Sequence, residues 1–272
     1  MVCKVISEIL ATIAKAENEN DRQFVVALAR GLSILYSTRS YPLGISYQQI
    51  CEMTGLPKPT VSRLLHTLQT LKFICQNPHT SLYQAGTRLL ELTAGTQDVD
   101  VTEQIKPLML SFASRYHVSV SLAKAQFGEM LYVQCVRSPA RLTVQLHAGS
   151  TVPMPDTAIG RAYYANLDET QKAMVQMDLQ RIYPNQFKDK LEKLEQSAEF
   201  MRTHGFAVSD KDFSEEVVAI AVIVKYALAP HGIFALNASA PSVLVTAEDL
   251  VKEVAEPLKQ LAQEVQSYFV MN

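Results

Sequence analysis

Residues 55–65 read GLPKPTVSRLL, and their two prolines stand at the front of a run that is otherwise strongly helical. Proline is tolerated in a helix's first turn, because the N–H it lacks has no intrahelical acceptor there and its fixed φ already suits the helix. Pro57 and Pro59 therefore mark and stiffen a helix start. Behind them Val61, Leu64, Leu65, Leu68 and Leu71 recur at helical spacing as an apolar stripe, while Lys58, Thr60, Ser62, Arg63, His66 and Thr67 take the other side. A stiff start is useful where a helix N-terminus meets a phosphate or a base edge, since free N–H groups and the helix dipole favour an anion there.

Upstream, Phe24, Val25, Leu28, Leu32 and Leu35 predict one apolar stripe on a helix over 22–37. Pro42 and Gly44 break the chain, Ser46 caps a short helix carrying Ile50, Cys51 and Met53, and Gly55 closes it. A short helix, a tight glycine turn and a second helix with a polar start form the helix-turn-helix pattern, whose second helix enters the DNA major groove. Downstream, KFICQNPHTSLYQAG (72–86) predicts short strands near 73–76 and 81–84 joined by Asn-Pro-His-Thr, a hairpin wing. The residues expected to contact DNA are Ser46, Lys58, Pro59, Thr60, Ser62, Arg63, His66 and Thr67, with Lys72, His79, Thr80 and Ser81 near the phosphate backbone. A plain three-helix bundle with a wet polar face is the competing reading.

Charge separates the two. Residues 22–90 hold seven cations (Arg22, Arg30, Arg39, Lys58, Arg63, Lys72, Arg88) and one acid (Glu52), a net +6 in a chain of net -2, so the remainder carries -8. A basic segment joined to an acidic body suits a protein that neutralises phosphates with one part only. At 272 residues and 48% hydrophobic the chain is long enough for two domains. No stretch approaches the roughly 20 apolar residues of a membrane span. Cys3, Cys51, Cys75 and Cys135 lie far apart with no CxxC pair, which fits reduced thiols in a cytoplasm better than a zinc site or disulfide framework.

The rest of the chain predicts an α+β body. TRLLELTAGTQDVDVTEQIKPLMLSFASRY (87–116) is helical apart from Pro107. Alternation then predicts strands with Val118, Val120 and Leu122 on one face, and Leu131, Val133 and Cys135 on one face of the partner. A third strand carries Leu142, Val144 and Leu146 against Arg141, Thr143 and Gln145. Helices follow near 157–166, 168–178 and 187–204, strands near 206–209, 217–225 and 232–239, and a last amphipathic helix runs from Ala247 to about Tyr268. GSTVPMPDTAIGRA (149–162) is a loop ending in Asp156 or Thr157 as helix cap. The small residues Ala158, Gly160 and Ala162 behind it allow a close approach to the backbone. Such a helix start can receive a carboxylate.

These segments resemble the IclR-type bacterial transcriptional regulators. ALARGLSIL (27–35), ISYQQICEMTGLPKPTVSRLLHTLQTLKFI (45–74) and YQAGTRLLEL (83–92) are similar to the family's winged helix-turn-helix half. HAGSTVPMPDTAIGRAYYANL (147–167), HGFAVSDKDFSEEVVAIAV (204–222) and GIFALNASAP (232–241) resemble its later segments. The resemblance spans about 22–268. It implies an N-terminal winged helix-turn-helix over 21–85, a linker helix over 86–97, and a GAF-like α/β effector-binding and oligomerisation domain over 98–272. The implied partners are a double-stranded DNA operator, a small-molecule effector such as an organic or aromatic acid, and further copies of the chain as a homodimer or dimer of dimers. No cofactor, metal or membrane is implied. By the same resemblance the effector pocket falls on Val144, Met154, Ala158, Ile159, Ser209, Ala219, Asn237 and Ser239. Two residues depart from the family's pattern. Asp156 replaces a small or neutral residue and joins the pocket if it points inward, where it would disfavour an anion. Glu216 replaces a glycine.

Enzyme readings fare poorly. Ser121 and Lys124 spell SxxK, but on an alternating strand the two side chains point to opposite faces, and no KTG accompanies them. GxSxG, a Walker loop and HExxH are absent, and the six histidines lack metal-ligand spacing. The alternative left open is a small-molecule-binding enzyme or sensor whose basic segment serves assembly. Ahead of all this, residues 1–20 predict an amphipathic helix with Val2, Val5, Ile6, Ile9, Leu10 and Ile13 apolar. Because Glu8, Glu17 and Glu19 leave it little basic character, its apolar face is expected to cover a neighbour or a dimer partner, with an interchain role favoured, rather than a membrane.

Overall fold

The computed structural model describes residues 4–41, 43–93, 97–140, 142, 144, 146–225 and 233–271. It divides into two units, Met1–Thr96 and Gln97–Asn272. Among the described residues no helix is long and apolar enough to cross a membrane.

In the first unit, α1 (Lys4–Asn18), α2 (Val26–Ser37), α3 (Tyr47–Thr54) and α4 (Lys58–Thr70) precede a hairpin of β1 (Ile74–Gln76) and β2 (Tyr83–Ala85), then α5 (Arg88–Thr93). Ile6, Ile34, Ile45, Ile50, Val61, Leu65 and Ile74 form its core. Two expectations need correction. The apolar face of α1 is used within the chain: Ile6, Ile13 and Ala16 are buried, and Glu17 pairs with Arg30 of α2 at 2.9 Å. The expected stripe of the first helix is largely on the surface, with Val25 61% and Leu28 63% exposed and Leu32 exposed as well. The buried face is instead Gly31, Ser33, Ile34 and Ser37. Burial of the two serines is tolerable because each hydroxyl donates to a carbonyl one turn back, Ser33 to Arg30 (2.8 Å) and Ser37 to Ile34 (2.6 Å). Pro42, read as a breaker, lies outside the described residues, as do 94–96 within the expected linker helix. Of that linker, α5 and the first residue of the next helix are described.

The second unit opens with α6 (Gln97–Tyr116), which continues through Pro107. Then come β3 (Ser119–Gln126), β4 (Glu129–Val136), β5 (Thr151–Pro153), α7 (Ala158–Ala165), α8 (Glu169–Ile182), α9 (Phe187–His204), β6 (Ala207–Asp210), β7 (Val217–Lys225), β8 (Ile233–Pro241) and α10 (Ala247–Met271). The strands form one antiparallel sheet in the order β5-β4-β3-β8-β7-β6. Residues of α6 and α10 share a core cluster with one face of the sheet, and residues of α7, α8 and α9 share a second cluster with the other. Both faces are therefore dry, which is why β7 and β8 read as near-continuous apolar runs.

The strand faces differ from simple alternation. The register slips between Leu122 and Ala123, which pair with Gln134 and Tyr132 and leave Val133 as the extra residue. A bulge of this kind turns the strand's faces over. The most buried residues of β4 are thus Met130, Tyr132, Gln134 and Val136 rather than Leu131, Val133 and Cys135. Met130 and Tyr132 join the α7 side, while Val136 joins the α6 and α10 side. The strand expected at 142–146 is also misplaced. Leu142, Val144 and Leu146 are in no strand, Arg141, Thr143 and Gln145 lie outside the described residues, and the chain pairs with β4 at 151–153 instead.

The contact that seats α7 is Gly160 on Met154. A Cβ added to Gly160 would stand 2.2 Å from the Met154 carbonyl oxygen and 2.4 Å from its Cα. Gly160→Ala is expected to destabilise the unit by about 1–3 kcal/mol through overpacking. In an open helix the same change gains roughly 1 kcal/mol, so the sign measured by chemical denaturation is the check.

Candidate nucleic-acid interface and candidate effector site

The turn between α3 and α4 is built from local chemistry. Ser46 and Gln49 make a reciprocal capping box, the Ser46 oxygen accepting from the Gln49 N–H at 3.2 Å and the Gln49 Oε1 accepting from the Ser46 N–H at 2.9 Å. Gly55 ends α3 at φ +64°, its N–H bonded to the Cys51 carbonyl. The Tyr47 hydroxyl donates to the Lys58 carbonyl at 2.6 Å and so ties the start of α3 to the start of α4. The sequence offered no signal for that tie, since a tyrosine after a cap reads as surface.

Pro57 is the N-cap of α4 and Pro59 sits in its first turn. The prolines stiffen the helix start, but they do not leave a ring of free amides for a phosphate. Pro59 has no N–H, and the Thr60 and Val61 N–H groups both bond to the Pro57 carbonyl. Any reading of DNA by α4 therefore falls to its side chains. Lys58, Pro59, Ser62, Arg63, His66 and Thr67 are exposed along the helix, whereas Thr60 is half-buried and Ser46 is half-buried in its cap. Lys72 (φ +63°) turns the chain into the wing. There Gly86 passes so close that a Cβ would lie 2.1 Å from the Lys72 carbonyl oxygen. His79 is exposed in the wing turn, which Asn77 holds by accepting from the His79 N–H at 2.9 Å.

In the second unit, Thr157 caps α7. Its Oγ1 accepts from the Gly160 N–H at 3.3 Å and donates to the Pro153 carbonyl at 2.7 Å. Asp156 does not cap. Both its carboxylate oxygens receive Lys190 Nζ of α9, at 2.7 and 2.6 Å, and its carbonyl accepts from the Ser209 hydroxyl at 3.0 Å. With a lysine neutralising it, Asp156 acts as a latch between loop and helix rather than as a charge facing a ligand. Arg161, also buried, completes the latch: Nε donates to the Pro155 carbonyl, and Nη1 to the Val208 carbonyl and to Asp212. Lys190 and Arg161 went unnoticed in the sequence because their partners are 34 and 51 residues away.

The remaining candidates gather on the α7 side of the sheet. Pairings Ser209↔Ala219, Ala219↔Ser239, Ala221↔Asn237 and Ser121↔Asn237 put Ser209, Ala219, Asn237 and Ser239 on neighbouring strands. Met154, Ala158 and Ile159 are buried in the core cluster of the same side. Val144 is half-buried and in no regular strand, and Glu216 sits on an exposed loop before β7. The sheet offers a floor of small residues, with Ser121 and the alanines at 123, 219, 221 and 235 between the polar positions. Asn237 is 4% exposed, and its Oδ1 has no hydrogen-bond partner among the described residues. Burial pushes the Tyr132 hydroxyl far up, against the opposing pull of a hydrogen bond with the Asn237 side chain, so that it stays protonated. Burial likewise raises the Cys135 thiol, against the opposing pull of a hydrogen bond with Ser121 and of the Arg137 charge. Tyr132 was absent from the expected site.

The family model for the bacterial transcriptional regulator IclR C-terminal domain matches residues 93–267, and that for the IclR helix-turn-helix domain matches residues 27–78. The chain belongs to the IclR family. As an IclR-family protein it is a DNA-binding transcriptional regulator rather than an enzyme, and the SxxK in β3 carries no catalytic meaning. Among its relatives, the HTH-type transcriptional regulator TsaQ1/TsaQ2 of Comamonas testosteroni is 27% identical over 92% of this chain and 90% of its own. A crystal structure of an IclR family transcriptional regulator from Brucella abortus is 28% identical, covers 91% of this chain and 93% of its own, and has a TM-score of 0.69. An IclR homolog from Microbacterium hydrocarbonoxydans, complexed with 4-hydroxybenzoate, shares the fold at TM-score 0.76. It is 18% identical and covers 90% of this chain and 100% of its own.

Asp212 reports on the latch. Burial raises its carboxyl, but the hydrogen bond and charge of Arg161, with the charge and hydrogen bond of Lys193, pull it below its ordinary value. A carboxyl depressed in the folded state adds stability above its unfolded pKa of about 3.9 and loses it as pH falls through the lower folded value. Asp212→Asn is therefore expected to lower the thermal midpoint at neutral pH and to flatten its fall below about pH 4, as followed by circular dichroism.

Proposed function

We propose that this IclR-family regulator binds its operator in the cytoplasm as a homodimer or dimer of dimers and responds to a small organic acid held against the α7 side of the sheet. The wing residues Lys72 and His79 lie along the phosphate backbone. The exposed face of α4, Lys58, Pro59, Ser62, Arg63, His66 and Thr67, enters the major groove, with Thr60 and Ser46 at its margin. The observation that carries the effector reading is the unpartnered Asn237 Oδ1. A buried acceptor left unpaired costs about 1–3 kcal/mol, which a donor on a ligand would recover. A hydroxyl is such a donor, while the Tyr132, Ser121 and Ser239 hydroxyls can donate to a carboxylate. Hydroxylated aromatic acids combine both groups, and one of them, 4-hydroxybenzoate, occupies the Microbacterium protein of the same fold.

Titration calorimetry with 4-hydroxybenzoate and benzoate tests this. The hydroxylated acid is expected to bind about tenfold more tightly, and Asn237→Leu to abolish the difference. Equal affinities in the unmodified protein, or no binding of either acid, would exclude a hydroxyl donor at Asn237.

For the DNA half, binding to an upstream fragment is expected to weaken with salt at a slope of roughly -0.9 per phosphate contact. Arg63→Ala should cost about 1–3 kcal/mol and relax preference at one base position. A uniform loss across sequences, measured by fluorescence anisotropy, would reassign Arg63 to phosphate.

A further inference from the structure

β6 pairs with β7 only from Val218 to Ala221, whereas β7 runs on to Lys225. The Val217 carbonyl accepts from Lys211 on the β6 side, and the Lys225 N–H is taken by the Gln266 side-chain oxygen at 3.2 Å. Backbone groups alternate sides along a strand, so the N–H and C=O of Ile223 face this same edge, where no strand among the described residues covers them. The uncovered edge is one wall of a cavity of about 350 Å³. Its other walls bring Arg202 from α9, Lys259, Gln263 and Gln266 from α10, Asn166 from the end of α7, and Lys225 itself. No acid is among the lining residues.

The cations are positioned to different degrees. Lys259 is held by the His204 carbonyl (2.8 Å) and Glu256 (2.6 Å), and its ammonium lies 5.3 Å above the Phe206 ring. Gly205, at φ +78°, makes room for it, since a Cβ there would stand 3.2 Å from Lys259 Cε. Arg202 pairs with Glu199 at 2.5 Å and keeps further donors on its guanidinium. Lys225 has no ion-pair partner among the described residues.

We propose that this cavity is a second ligand site, distinct from the floor around Asn237, and that it takes a small oxyanion, the carboxylate or phosphate group of a metabolite. The donor set matches that chemistry: an ammonium, a guanidinium, side-chain amides and a free strand-edge N–H converge where acceptors are few, and charge-assisted hydrogen bonds to oxyanions are the strong ones. None of its lining residues is among the candidate effector residues. An anion here joins α9, β7 and α10, elements from both faces of the sheet, and so stabilises the unit by mass action.

The test titrates the full-length protein with sodium phosphate, and separately with sodium succinate, at an ionic strength held constant with sodium chloride. Calorimetry and the thermal midpoint are read together. Saturable binding of at least one anion is expected. Phosphate alone would identify a phosphoryl ligand, succinate alone a carboxylate, and both the shared chemistry. Lys225→Gln and Arg202→Gln are each expected to weaken binding about tenfold, with anion-free midpoints unchanged because both side chains are exposed. Asn237→Leu should leave it intact. The proposal is overturned if neither anion binds saturably, if Lys225→Gln binds as tightly as the unmodified protein, or if Asn237→Leu removes the binding.

Discussion

The second unit depends on one close approach, that of α7 to the backbone of Met154, which only a residue without a Cβ at position 160 allows. Once the helix is seated there, the loop before it has no freedom left, and its polar groups must find partners inside the fold. Thr157 takes the cap, Asp156 is handed to Lys190, and Arg161 reaches across to Asp212. Buried ion pairs of this kind add little net stability over an apolar replacement, but losing one partner strands the other. Their effect is to define where the loop lies. Beneath the helix the sheet answers with alanines and serines, because larger side chains would hold α7 away. The polar floor is thus a by-product of close packing, and among the described residues Asn237 is where that packing leaves a buried side-chain acceptor unanswered.

The DNA-binding unit is organised by the same kind of constraint on a smaller scale. Gly86 lies against the Lys72 carbonyl, and the Tyr47 hydroxyl pins the Lys58 carbonyl. The wing and the start of α4 are each fixed by a contact to backbone, leaving the side chains of α4 uncommitted. The prolines use up amides that a phosphate might otherwise occupy, so the helix start is a rigid support for side chains rather than an anion cradle. Of the seven cations counted in the segment, Arg30 is spent on Glu17 of α1. The charge available to a phosphate backbone is correspondingly smaller than the count suggests.

Local signals were legible in the sequence. The cap at Ser46, the closing Gly55, the prolines opening α4 and the Asn77 turn all act within four or five residues, and all stand in the structure as their residue types predict. Regular alternation held at the start of β3, where Val118, Val120 and Leu122 share one cluster, and a single stripe held on α4, but neither held on β4 or α2. The face of β4 was misread because one bulged residue exchanges the two sides of a strand, and a bulge has no signature in a sequence of β-formers. The stripe on α2 was misread because serines that bond to their own helix can be buried, which hydropathy does not register. Local geometry suits either Asp156 or Thr157 as the cap, and Thr157 takes it. The partner of Asp156, Lys190, is a long-range contact.

By itself, the sequence determined the order of helices and strands, the helix-turn-helix with its wing, and the separation of a basic segment from an acidic body. These follow from spacing, turn chemistry and charge, which act between near neighbours or sum over a segment. The tertiary structure alone decided where β4 exchanges its two sides, which ion pairs close the loop before α7, and that Asn237 Oδ1 has no partner among the described residues. It also decided that β7 outruns β6 and, among the described residues, leaves a strand edge beside three cations. Each of these depends on residues brought together from distant parts of the chain, and close packing, not local preference, selects them.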